Sequence, residues 1–194
     1  MNLYTLALFV HVLGVIGIFA GLGVWLFGLA ALGRMQHVEQ VRAIAGVVTA
    51  AGYLVVGSLL PLGVGGFYMA LTTWGLRATW IIVATVSFIL LAPAGAVVID
   101  PRVRAIGLQA RAAPDGPLPA ELAKRTHDPI LGIGLHVYIA VLLGIVYLMT
   151  TKPALAPSIV AMVVAVAIGL ASGVFLWWAS RSREGATVTH ASRR

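Results

Sequence analysis

Five long apolar stretches, nearly free of charged side chains, decide what this chain can fold into. A helix rises about 1.5 Å per residue, so crossing about 30 Å of hydrocarbon takes about 20 apolar residues. Residues 3–32, 43–71, 79–99, 129–149 and 158–179 each meet that length. Backbone polar groups in hydrocarbon must be paired within their own segment, which makes helices of spans this long. The expected fold is therefore all-α, a polytopic membrane bundle of about five transmembrane helices. Composition agrees: 60% of residues are apolar and 10% charged, too few polar side chains to coat a soluble surface. The first stretch has no basic flank before it and no small-residue cleavage site after it, and it exceeds a signal-peptide core, so it reads as a retained helix. Residues 1–180 are expected to form one bundle, followed by a basic cytoplasmic tail over 181–194.

Loop charges orient the bundle, because Lys and Arg accumulate on the cytoplasmic side. Arg34 and Arg42 precede the second stretch; Arg102, Arg104, Arg111, Lys124 and Arg125 separate the third from the fourth; Arg181, Arg183, Arg193 and Arg194 follow the fifth. The opposite loops carry only Arg77 and Lys152. The expectation is N-out and C-in, in a bacterial cytoplasmic membrane. Net charge is +7, yet the basic residues flank apolar segments and form no stripe interleaved with aromatics, so topology accounts for them and nucleic acid is not an expected partner. Residues 100–128, with Pro101, Pro114, Pro117 and Pro119 among small and charged residues, have the composition of a mobile loop, in which 120–125 makes a helical turn. Trp74, Trp80, Trp177 and Trp178 fall near expected interfaces, where amphipathic rings anchor.

With no cysteine, thiolate metal sites and thiol nucleophiles are excluded, and redox chemistry needs a bound cofactor. Ionisable groups at membrane depth are costly and point to function. Tyrosines apart, His11 and His136 are the two in the stretches, because all six acids fall in loops, helix ends or the tail. Buried carboxylates for proton or cation transport, or paired for hydrolysis, are therefore missing. Helical spacing sets His11 on a face with Gly14, Gly21 and Gly28, and His136 on one with Gly132, Ala140 and Gly144. Small residues beside an imidazole leave room for a flat macrocycle, so haem b with His11 and His136 as axial ligands is one reading. Gly14, Gly21, Gly132 and Ala140 would line it, and Tyr53, on the face of the proline-interrupted second stretch, is a further candidate contact. The other reading is that these small residues let helices pack closely with no ligand. Counted along the helices, His11 lies about 12 Å and His136 about 21 Å from the same membrane face, which leaves ligation by one histidine or by two open.

The first stretch, LFVHVLGVIGIFAGLGVW, and the fourth, LHVYIAVLLGIVYLMTTKP, resemble a family of uncharacterised bacterial integral membrane proteins, distantly similar to copper-resistance-D-like proteins, which also place a histidine ahead of glycines in a helix. The resemblance implies a membrane bundle and no particular reaction. Two functions are carried forward. One is a haem-b protein serving electron transfer or gas and redox sensing, with a quinone or a redox protein as partner. The other is a cofactor-free transporter, channel or assembly protein whose glycine faces pack helices or join copies in a homo-oligomer.

Overall fold

In a computed structural model, residues 2–191 are described, and among them there is no strand. Helix α1 is Leu3–Leu32. Helix α2, Val38–Met69, continues through a wide π-type turn, Ala70–Trp74. Helix α3, Thr79–Ala94, passes through a second such turn, Gly95–Ile99, directly into α4, Asp100–Ala112. The short α5 is Ala120–Thr126, α6 is Pro129–Thr151 and α7 is Leu155–Ala191. Five of these units are long and apolar enough to cross a membrane. Within the apolar 18-residue stretch of each, only 18–28% of residues are buried within the chain, so most of that helix surface is left for lipid.

Glycine sets the closest packing. A side chain at Gly14, Gly17, Gly21 or Gly28 of α1 would run into Leu62, Ser58, Val55 or Val48 of α2 respectively, so the two helices form a hairpin with backbones in near contact. Helices α6 and α7 form a second one, in which Gly169 and Gly173 face Val137 and Ile133, and Gly144 faces Ala165 and Met162. Trp25 is buried and donates from Nε1 to the Val48 carbonyl at 2.8 Å, locking the register of the first hairpin.

One end of the bundle is marked by Trp74, Trp80 and Lys152, where α2 and α6 end and α3 begins. From Lys152 the 23 residues of α6 descend about 34 Å, one hydrocarbon thickness, to Asp128. There Asp128 accepts from Arg102 at 3.1 Å. The amino-terminal part of α2 and all of α4 continue beyond that level. Residues 100–128, expected to be a mobile loop, are instead folded, with α4 running on from α3 without a break. The physical reason is the placement of Pro101 in the first turn of α4, where its missing N–H is not needed, after a widened turn that relieves the ring's clash with the preceding carbonyls. Arg102 donates to the Val98 carbonyl at 2.8 Å across that turn.

These pieces fold back as a cap. Val38, Val41, Ile106, Ala110 and Leu122 are each no more than 1% exposed, which makes this end as tightly buried as any part of the molecule. Arg42 ties it together, donating to the carbonyls of Ala110 and Ala113 and to Asp115 at 2.8 Å. Gly116, at φ 134, supplies the one backbone conformation in this segment that needs glycine; its carbonyl accepts from the Val38 N–H and its N–H donates to Glu39. Helices α2 and α7 also begin earlier than the expected second and fifth spans, at Val38 and Leu155, the start of α2 standing in the cap. Helix α7 continues beyond residue 179 to Ala191, through most of the expected tail; Arg193 and Arg194 lie outside the described residues.

Candidate functional site

His11 sits on the face of α1 that meets α2. Its Nδ1 is 2.7 Å from the Leu62 carbonyl oxygen. A carbonyl only accepts, so Nδ1 carries the proton and, in the neutral ring, Nε2 keeps the lone pair. The seat is made by Gly65 and Gly66 of α2: a Cβ at Gly66 would lie 2.9 Å from His11 Nδ1 and 3.0 Å from Cε1, and one at Gly65 would press into the backbone of Ala7 and His11. These two glycines and the Leu62 carbonyl are not apparent from helical spacing within the first stretch. Their signal is the run Pro61-Leu62-Gly63-Val64-Gly65-Gly66, where glycine is dense in a helix that must nonetheless stay paired in lipid.

His136 is held differently. Its Nδ1 is 2.8 Å from the Gly132 carbonyl one turn back on α6, again fixing the proton on Nδ1. Its Cβ side lies against Gly173 of α7. The two histidines therefore belong to different hairpins, and α1 and α6 share little backbone contact. Measured along the helices from the tryptophan end, His11 lies about 12 Å deep and His136 about 22 Å.

The other expected contacts are distributed. Gly14 and Gly21 are covered by Leu62 and by Val55 and Ala51 of α2. Ala140 lies against Gly169 of α7, and the position a Cβ would take at Gly132 is open. Tyr53 is 70% exposed and lies near Arg104 of α4, at the charged end of the bundle and away from both histidines. Among the described residues no group of three or more His, Cys, Asp or Glu side chains is arranged to hold a metal ion. A shallow apolar groove of about 450 Å³ runs between α3, α6 and α7, lined by Ser87, Leu91, Val141 and Met162 among others, and includes neither histidine.

The sequence resemblance, carried by the first and fourth spans, implied a membrane bundle, and the five long apolar helices form one. Residues 5–153 match the family described as predicted integral membrane proteins, DUF2269. The chain belongs to that family. The family is one of unknown function, and the matched region ends at Pro153, so it takes in both histidines, the whole cap and the tryptophan end, and leaves α7 outside. The more distant likeness to copper-resistance-D-like proteins finds no support in the match. No curated protein and no solved structure matches the chain.

Proposed function

We propose that this protein is a membrane haem-b protein of the bacterial cytoplasmic membrane, oriented N-out and C-in, with His11 as axial ligand. The observation that carries the reading is the hydrogen bond from His11 Nδ1 to the Leu62 carbonyl. Histidines that ligate metals characteristically donate their other ring nitrogen to a backbone carbonyl or carboxylate, which fixes the tautomer and raises the basicity of the ligating nitrogen. At His11 that arrangement has its own seat, with Gly66 of the neighbouring helix facing the ring and Gly65 facing the backbone that carries it. His136 has the same tautomer through a bond within its own turn, but a depth difference of about 10 Å and a separate hairpin favour His11 as the sole protein ligand. The ligand chemistry fits a haem; the glycine face of α1 does not provide the slot, because α2 fills it. Haem held through His11 would supply one-electron or gas-binding chemistry.

The test is the absorption spectrum of protein purified from haem-replete cells. A Soret band present in the parent, lost in His11→Ala and retained in His136→Ala is the expected result. Colourless parent protein would overturn the reading.

A second reading rests on the packing of the same glycines. Gly14, Gly21, Gly144, Gly169 and Gly173 are all consumed by helix contacts, as in a cofactor-free transporter, channel or assembly protein. Colourless protein whose stability is unchanged by both histidine substitutions, together with substrate flux in proteoliposomes, would favour it.

A further inference from the structure

We infer that Lys152, Trp74 and Trp80, together with Arg77, bind the headgroup of an anionic phospholipid at the tryptophan end of the bundle. Two backbone irregularities converge there. Lys152 closes α6 in the left-handed conformation, φ 51 and ψ 51, the one non-glycine residue among those described with positive φ. For a residue with a Cβ this costs about 1 kcal/mol or more, and such outliers persist where surroundings hold them. On the facing side, the π-type turn Ala70–Trp74 resets the register of the last turn that presents Trp74. The two meet in one contact: Lys152 Nζ lies 3.6 Å from the centroid of Trp74 and 6.0 Å from that of Trp80, whose rings pack edge to face at 5.7 Å.

A strongly hydrated, flexible ammonium is thereby held at a fixed place on the membrane boundary. Arg77 joins it by topology, three residues from each tryptophan in the exposed turn between α2 and α3, and makes no ion pair among the described residues. Among the described residues this end carries no carboxylate side chain; Glu39, Asp100, Asp115, Glu121 and Asp128 all belong to the opposite end, and Glu184 lies in the last turns of α7, which starts at this end and runs away from it. Among the described residues, two cations thus stand at the headgroup level with no carboxylate at the same end.

The anion available at that depth is the lipid phosphate. The site also chooses among phospholipids. A zwitterionic headgroup brings its own ammonium, for which this end has no carboxylate, and the tryptophan face that would accept an ammonium is already covered by Lys152. A headgroup with phosphate and no ammonium satisfies both cations.

The experiment is a binding titration of the purified full chain in neutral detergent with phosphatidylglycerol, phosphatidylcholine or soluble glycerol phosphate, read by native mass spectrometry. A basic residue near an anionic lipid surface contributes about a fivefold preference. Phosphatidylglycerol should therefore bind more tightly than phosphatidylcholine, with about 25-fold loss in the Lys152→Gln, Arg77→Gln double variant and recovery of most of the Lys152 share in Lys152→Arg. Equal affinity for the two lipids, or phosphatidylglycerol binding unchanged in the double variant, would overturn the assignment. Glycerol phosphate binding as tightly as the lipid would overturn it in favour of a soluble phosphate. If replacement of Lys152 prevents folding, Arg77→Gln alone, in an exposed turn, should still show the fivefold loss, and unchanged affinity there overturns the site.

Discussion

At His11 the question is which nitrogen holds the proton, and the answer is set by a residue 51 positions away. If Leu62 fixes Nδ1–H, then disturbing the seat should release the tautomer before it disturbs the helix. Gly66→Ala places a methyl about 3 Å from the ring, closer than nearly all such contacts, so the imidazole must move. Ring nitrogen NMR of selectively labelled protein should change from a single Nδ1–H tautomer to a mixture, and the Soret band, if present in the parent, should fall with it; an unchanged tautomer would show that Leu62 does not fix it. The sequence makes the two histidines visible as rare ionisable groups in lipid, but not their partners, because a backbone carbonyl leaves no signature in the side-chain pattern. Glu39 offers a second residue-scale test. Hydrogen bonds from its own backbone amide and from that of Gly116 hold its carboxyl below the ordinary value of 4.5. A lowered native pKa means the contact is complete above about pH 4.5 and is lost as pH falls through the lower native value. Exchange of the Gly116 amide should accelerate over that acidic window, and Glu39→Gln, which keeps an acceptor but cannot titrate there, should flatten the response.

Among the helices, small residues separate into those spent on packing and those left open, a distinction that spacing alone does not make. Gly169 and Gly132 both occur in the small-residue patterns of their helices. A Cβ at Gly169 would lie 2.6 Å from the Val137 Cα, whereas at Gly132 nothing lies within 4 Å. Gly169→Leu should therefore destabilise the α6–α7 hairpin by about 1–3 kcal/mol or more through overpacking. Gly132→Ala should be neutral or stabilising by up to about 1 kcal/mol from helix propensity. Denaturant unfolding in detergent measures both, and equal tolerance would mean the hairpin is not closely packed. The five spans themselves were legible because length and hydropathy are local quantities; the first was expected over residues 3–32 and is α1, Leu3–Leu32. The break expected at Asp100-Pro101 failed for the opposite reason. Proline ends a regular helix, but here a widened turn and the Arg102 guanidinium on the Val98 carbonyl absorb the defect, and both depend on structure beyond Asp100 and Pro101 themselves.

For the molecule as a whole, the asymmetry between its ends is the organising fact: one presents Lys152, Arg77 and aromatic rings, with no carboxylate beside them among the described residues, the other a folded cap tied by paired charges. The cap was hidden in the sequence because its bonds are long-range. Residues 113–119 look like a loop when read locally, yet they are held to the start of α2 by the Val38 and Leu118 amides and by Arg42, across about 70 positions of chain. That makes Arg42 the residue on which the cap should turn. Its planar guanidinium reaches two carbonyls and Asp115 together, a geometry that lysine cannot reproduce. Removing it leaves the Ala110 and Ala113 carbonyls without this donor, at about 1–3 kcal/mol for each partner left unsatisfied away from water. The opening affects the cap rather than the spans, which are paired within themselves. Limited trypsin digestion in detergent reads it: the parent should be cut slowly at Arg111, despite the loop-like composition that follows it, while Arg42→Ala and Arg42→Lys should be cut at least about tenfold faster with helix content unchanged. Rapid cleavage of the parent at Arg111 would mean that the segment is mobile after all, and that the buried cluster around Ile106 and Leu122 does not hold it closed.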